Sequence, residues 1–237
     1  MDDLMKNINA LQWGDISREM HRAGYYLARG FLDFEICDSL IAGYEDPGAY
    51  RKTVAMERYR FGMGEYKYFK YPLPETIKSI RRELYPGLSV IANEWMKRLD
   101  TGCGFPGSHE GLLRQCKEHQ QLQPTPLILR YGKGCFNTLH QDLYGEVYFP
   151  IQLALFLNEP GTEYEGGEFV MTQQTPRAQA KAIVLSPGKG DMLLFTTNFR
   201  PVKGRKGYHR ATMKHGVSEI HRGERHTLGI IFHDAIS

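Results

Sequence analysis

His140 and Asp142 stand one residue apart in NTLHQDLYGEVYFPIQLALFLNEPG, the stretch from Asn137 to Gly161. In an extended chain residues i and i+2 face the same way, so an imidazole and a carboxylate there can share one divalent metal. The third ligand must come from elsewhere, and His209, His215, His221, His226 and His233 all lie downstream. Two histidines and one carboxylate on an octahedral metal leave three positions open, enough for a bidentate oxo-acid and dioxygen. Zinc hydrolases use similar donors but need a water and usually a general base. What separates the two is a fixed cation for the far carboxylate of an oxo-acid. The segment HGVSEIHRGERHTLGIIF supplies one: Arg225 lies ten residues after His215, with Thr227 and Gly229 next on the same strand face. A guanidinium grips a carboxylate through two hydrogen bonds, a threonine hydroxyl adds a third, and a glycine leaves room beside them. His215 is preferred to His209 because His209 follows a basic loop, and neither Arg210 nor Lys214 would serve the carboxylate as neatly.

These side chains need a scaffold, and the composition allows one. The chain has 237 residues, enough for one large domain or a core with a helical annex. Its net charge of +3 is too small to imply nucleic acid by itself, but the distribution is uneven. Arg200, Lys203, Arg205, Lys206, Arg210 and Lys214 fall in one short segment that holds no Asp or Glu. Cys37, Cys103, Cys116 and Cys135 are widely spaced with no CxxC pair, which predicts reduced thiols and argues against a cysteine-bound zinc. The opening MDDLMKNINALQWGD has no apolar signal core, and no apolar run reaches membrane-spanning length. The expectation is a cytoplasmic protein with no membrane partner.

Two halves are predicted. Residues 1–123 read as mainly helical: GDISREMHRAG, DFEICDSLIAGY with Asp33 as N-cap, PETIKSIRREL after Pro74, and LSVIANEWMKRLD beyond Pro86-Gly87. Between them YRFGMGEYKYFKYPLP reads as a loop or irregular hairpin whose Tyr and Lys side chains can line a pocket. Residues 124–237 read as strands: PLILRYG, YFPIQLALFLNEPG with a break at Pro150, GGEFVM, KAIVLSPGKGDMLLFTT and RHTLGIIFHD. Short apolar runs divided by Gly/Pro turns predict an antiparallel sandwich or jelly roll. The fold class is therefore α+β, a jelly-roll core with a helical N-terminal half packed on it as one compact unit. His21, His109, His119 and His221 are expected on the surface; His226 points away from Arg225, and His233 hydrogen-bonds near the end of the chain.

The strand half resembles the iron(II)- and 2-oxoglutarate-dependent oxygenases of the prolyl-hydroxylase-like branch. The likeness lies in LRYGKGCFNTLHQD, LALFLNEPG with EGGEF, SPGKGDMLLF and KHGVSEIHRGERHTLGIIF, roughly residues 124–233. FGMGEYKYFKYPLP and GGEFVMTQQTPRAQ extend it to a bacterial 2OG-Fe(II) oxygenase family described as acting on alkylated DNA. The resemblance implies the double-stranded β-helix fold, with Fe(II) and 2-oxoglutarate as cofactors and dioxygen as cosubstrate. The implied reaction hydroxylates or oxidatively demethylates a substrate and releases succinate and CO2. By position His140, Asp142 and His215 would hold iron, Arg225 and Thr227 the far carboxylate of 2-oxoglutarate, and Tyr131 another of its oxygens. Asn137, Gln141, Arg177, Arg210 and Lys214 are candidates for contact with substrate or with the ligands. The substrate stays open among a small molecule, a peptide and alkylated nucleic acid. Outside this class stand a zinc hydrolase and a non-enzymatic cupin-like binding domain, neither of which calls for a buried cation ten residues past the last ligand.

Overall fold

The computed structural model describes residues 2–237. Among them the helices are α1 (Asp2–Asn9), α2 (Trp13–Ala23), α3 (Phe34–Ala42), α4 (Glu75–Arg98) and α5 (His109–Glu118). The first strands are β1 (Tyr25–Ala28), β2 (Tyr50–Ala55), β3 (Gly62–Met63) and β4 (Glu65–Phe69). There follow β5 (Leu127–Tyr131), β6 (Phe136–His140), β7 (Ile151–Phe156), β8 (Tyr164–Gly166), β9 (Phe169–Gln174) and β10 (Lys181–Leu185). The rest are β11 (Met192–Thr196), β12 (Phe199–Gly204), β13 (Gly207–Val217), β14 (Ile220–Gly223) and β15 (Arg225–Ile230).

A seven-stranded sheet in the order β1-β11-β7-β15-β5-β4-β2 faces a six-stranded one, β10-β9-β13-β6-β3 with β12 paired to β13. The helices cover the outer face of the larger sheet. Strand alternation divides its side chains: Ile151, Leu153 and Leu155 of β7 join the helical core with Leu84, Trp95, Leu228 and Ile230. Ala154 and Phe156 turn the other way, onto Phe169 and Met213 of the smaller sheet. Covered on both faces, β7 is buried at every position, which explains its unbroken apolar reading. Gln152, the lone polar side chain of β7, is thereby directed between the sheets.

Residues 1–123 are not a purely helical half. β1 lines the β11 edge, and β2 and β4 extend the larger sheet beyond β5. The stretch read as a loop or irregular hairpin, 59–74, carries β3, which joins the other sheet, and β4, which pairs with β2 ahead of it. Its weak signal follows from burial that does not alternate: Glu65, Tyr66 and Lys67 of β4 are each half-buried. The helical theme continues through Pro86 as one helix of 24 residues, α4. Gly87 is required there, since a Cβ would collide with the Trp13 indole. The basic stretch before His215, read as a loop, is the β12–β13 hairpin. No helix among the described residues is long and apolar enough to cross a membrane.

Two buried polar features tie the helices to the strand end. Arg81 of α4 meets Asp234 at 2.9 Å and the Phe232 carbonyl at 2.7 Å, with Tyr71 donating to Asp234 at 2.8 Å. Arg81→Met is expected to lower stability by about 3 kcal/mol, because it leaves a buried carboxylate unpaired; urea unfolding checks this. His109, expected on the surface, is buried against Phe232, whose carbonyl accepts from its Nε2 at 2.9 Å. His233 is also buried and accepts the Phe149 N–H on Nδ1 at 3.0 Å. Burial, reinforced by the nearby Arg81 charge, depresses both imidazoles from 6.5 to about 3. Below the ordinary value the unfolded chain binds protons that the folded one refuses. Stability is therefore full above pH 6.5 and falls as pH drops toward 3, by up to about 1.4 kcal/mol per pH unit for each histidine. Urea midpoints across that range should show the slope, and a His109→Gln/His233→Gln double variant should flatten it.

Candidate metal centre

β6 and β13 pair so that His140 and His215 lie directly opposite each other, with ring centroids 4.3 Å apart. Asp142 is not on the strand as expected; β6 ends at His140, and the following loop brings the carboxylate back. Its Oδ1 lies 3.6 Å from His140 Nε2 and its Oδ2 3.3 Å from His215 Nε2. One ligand atom from each of the three lies within 4.8 Å of the others, the arrangement of a shared divalent ion. His140 Nδ1 donates to the Thr138 carbonyl at 2.7 Å, which leaves Nε2 as the free lone pair. His215 is stacked on Phe169 at 5.8 Å and met edge-on by Phe195 at 4.8 Å. Both rings hold its orientation.

The carboxylate is held from two sides. Tyr144 donates to Oδ1 at 3.0 Å and Gln152 to Oδ2 at 2.9 Å. Burial opposes ionisation of Asp142, but the hydrogen bond with His215, the His140 and His215 charges and the Gln152 amide outweigh it. The carboxyl is held below the ordinary carboxylate range. Burial and the neighbouring His140 lower His215, against the pull of Asp142, and so favour the neutral imidazole that a metal takes. Sequence reading missed Gln152 and Tyr144; the signal for Gln152 was a single amide inside the apolar run IQLALF.

The triad opens into a cavity of about 290 Å³ between the two sheets. Arg225, Thr227 and Gly229 of β15 line it together, as strand alternation requires. Arg225 is 1% exposed, yet Nε, Nη1 and Nη2 have no hydrogen-bond partner, and Thr227 Oγ1 has none either. Gly167 accommodates the arginine: a Cβ there would sit 3.1 Å from Arg225 Cδ and clash with Ile220. Tyr131 also lines the cavity; burial pushes its phenol up, and Asn137 Nδ2 donates to its oxygen at 3.2 Å, leaving the phenolic proton free to donate. Tyr66 and Tyr68 of β4 form one wall, while Lys67 between them turns away to Glu45 at 3.2 Å.

Other candidates fall elsewhere. Gln141 lines the cavity but its amide is committed to the Asn198 and Met213 carbonyls at 2.9 and 2.8 Å, so it fastens strands. Arg177 sits exposed in the β9–β10 turn with φ of 64°, away from the cavity. Arg210 and Lys214 are exposed on the face of β13 opposite His215, so neither reaches the metal centre. His209 precedes His215 by six residues on the same strand, about 20 Å away, and is no competitor as ligand. His226 turns from Arg225 onto Asn158, and His119 and His221 are exposed. His21 is half-buried and accepts from Trp95 at 2.9 Å.

The Tyr131 and Phe156 rings face the guanidinium at 5.6 and 5.3 Å, but a buried guanidinium with no hydrogen-bond partner is costly unless something anionic joins it. An oxo-diacid fits: one carboxylate for Arg225 and Thr227, the oxo-acid end for the metal. Among the described residues no carboxylate besides Asp142 lines the cavity, so a zinc hydrolase would lack its general base.

Known proteins agree in kind. An uncharacterised protein of Mycobacterium tuberculosis, found in strains CDC 1551 / Oshkosh and H37Rv, is 41% identical over 167 residues, 70% of this chain and 72% of that one. A 2OG-Fe(II) oxygenase family oxidoreductase from Burkholderia pseudomallei shares the fold, with TM-score 0.52, 14% identity and 96% and 94% of the two chains covered. So does a Trichoplax adhaerens prolyl hydroxylase in complex with a hypoxia-inducible-factor peptide, with TM-score 0.55, 14% identity and 98% and 92% covered. The family model Oxygenase-NA, described as an oxygenase catalysing oxidative methylation of damaged DNA, matches residues 64–235. With that span matched and His140, Asp142 and His215 converging inside it, the chain belongs to the Oxygenase-NA family and is an oxygenase.

Proposed function

We propose that the protein is an Fe(II)- and 2-oxoglutarate-dependent dioxygenase that hydroxylates a carbon of its substrate and releases succinate and CO2. The carrying observation is Arg225, buried with every guanidinium nitrogen unpartnered in the cavity that holds the His-Asp-His triad. His140, Asp142 and His215 would hold ferrous iron, and the bound metal supplies the activation of dioxygen coupled to oxidation of the oxo-acid. Arg225 and Thr227 bind the far carboxylate, and Tyr131 donates its phenolic proton to another oxygen of the diacid. Tyr144 and Gln152 keep the Asp142 carboxylate turned to the metal. The aromatic walls keep water from the reacting carbon. The two facing sheets are read as the double-stranded β-helix, or jelly roll, of this class.

The family description favours damaged DNA as substrate. If the oxidised carbon is an N-methyl group, its hydroxylated form is shed as formaldehyde and the base is restored. Among the described residues all four cysteines are free, which accords with a reducing, cytoplasmic setting. The test is succinate release by the ferrous-loaded protein, with formaldehyde measured alongside N-methylated oligonucleotides and with a proline peptide as comparison. Absence of 2-oxoglutarate consumption under every substrate would sink the reading.

A further inference from the structure

No strand of the six-stranded sheet carries an Asp or Glu. Between Phe169 and Ser218 the sole acidic residue is Asp191, which lies outside that sheet and is taken up by Arg29 at 2.6 Å. On the outer face of that sheet and in its β12–β13 turn Lys203, Arg205, Lys206, Arg210 and Lys214 are all exposed, and none forms an ion pair among the described residues. Cations of the helical layer such as Arg18, Arg22 and Arg82 instead sit in ion pairs with Asp15, Glu19 and Glu83. A chain with 30 basic and 27 acidic residues has thus cleared one whole face of negative charge. Alternation sets the direction of that face. Ala211, Met213 and His215 of β13 point inward, and Arg210, Thr212 and Lys214 point out.

The sheet runs from β13 through β6 to its edge at β3, about 10 Å farther on. Immediately before β3 the chain reads Arg58-Tyr59-Arg60-Phe61. Tyr59 and Phe61 are 55% and 44% exposed, and their rings stack within 17° at 5.6 Å. Both the N–H and the hydroxyl of Thr138 donate to the Phe61 carbonyl at 2.8 Å, which pins the pair to β6 two residues from His140. Phe61 lines the cavity. A cleared cationic face therefore ends at two flat, exposed rings on the lip of the metal centre.

We propose that the outer face of the six-stranded sheet carries the phosphates of a single-stranded nucleic acid, and that Tyr59 and Phe61 stack a base at the cavity mouth. The orientation toward the cavity rests on the oxygenase reading; the binding surface does not. Stacking on aromatic rings suits any base, and a row of cations tracks a backbone. A duplex would first have to expel a base from its stack. A lipid surface would meet the charge and bury the rings as well, but it has no base to place at the mouth of the cavity that Phe61 lines, and vesicle binding separates the two.

The test is fluorescence anisotropy of the full chain with a short labelled oligothymidylate across a salt series. Arg210→Gln/Lys214→Gln should weaken binding and make the log-log salt slope shallower by about 0.7 for each phosphate no longer neutralised. Phe61→Ala, and separately Tyr59→Ala, which lies outside the cavity, should each weaken binding by roughly 10-fold with the slope unchanged. Arg114→Gln/Lys117→Gln removes the same charge from α5 and should change neither. The surface assignment is overturned if all variants bind alike, or if duplex binds as tightly as single strand. It is also overturned if phosphatidylglycerol vesicles bind equally well and the ring variants are silent. Loss of oligonucleotide binding with thermal stabilisation by 2-oxoglutarate retained sinks this assignment alone. Oligonucleotide binding without that stabilisation sinks the oxygenase reading and leaves the surface standing.

Discussion

Arg225→Met is expected to make the ligand-free protein more stable while cutting succinate release by roughly 10³-fold. The two effects have one cause. Arg225 is buried, and none of its guanidinium nitrogens is hydrogen-bonded, so in the empty site its charge is a debit of about 1–3 kcal/mol. Methionine keeps much of the volume and removes the charge. For a chain of 237 residues each kcal/mol moves the midpoint by about 2–4 °C, so a rise of several degrees is expected. The same change removes the only cation lining the cavity among the described residues outside the triad. Losing a buried charge-assisted pair costs the bound state about 4 kcal/mol, which sets the fold-change. Added 2-oxoglutarate should raise the melting midpoint of the parent protein and not of the variant. A variant that melts lower and still turns over would show that the guanidinium has a structural partner and no diacid to hold.

His215→Ala should abolish succinate release and ferrous-ion retention, a loss of at least about 10³-fold, whereas His209→Ala should leave both intact. Removing a group that merely orients a ligand costs about 10–100-fold, and removing the ligand itself costs more. Only His215 pairs across from His140 and stands 3.3 Å from Asp142. Alanine there also strips the contacts to Phe169 and Phe195, so Asp142→Asn is the companion test. It nearly preserves shape and removes the charge the metal needs. Metal content after gel filtration, read beside turnover, separates a missing ligand from a loosened fold. Retained iron in H215A with loss in H209A would reassign the third donor.

The parts of the site legible in the amino-acid order were those governed by strand alternation. Arg225, Thr227 and Gly229 share a face whatever the strand packs on, and β15 bears them into one cavity. His140 and Asp142 were legible for a partly different reason. Their spacing suggested a strand, yet a loop delivers the carboxylate to the same place. Arg210 and Lys214 stand outside the cavity although they are near His215 in sequence, because one step along a strand reverses the face. Gln152, Tyr144 and the walls from Tyr66 and Tyr68 depend on contacts between strands far apart in the chain, which no local pattern encodes. His109 was read as surface because no local pattern gives it a partner; the Phe232 carbonyl that receives it arrives from 123 residues away. The strands hidden in the N-terminal stretch had the weakest periodicity, because β2 and β4 bury no regular alternate set of residues.

The larger sheet has a consequence for synthesis. β15 is made after every other strand, yet it lies between β5 and β7, paired to both. Until it emerges from the ribosome those two neighbours have open edges, and the arginine-bearing groove does not exist. A nascent chain stalled before residue 225 would expose long apolar strands of the kind that chaperones capture and that aggregate when they escape. Emergence of β15 and closure of the cavity are therefore a single event.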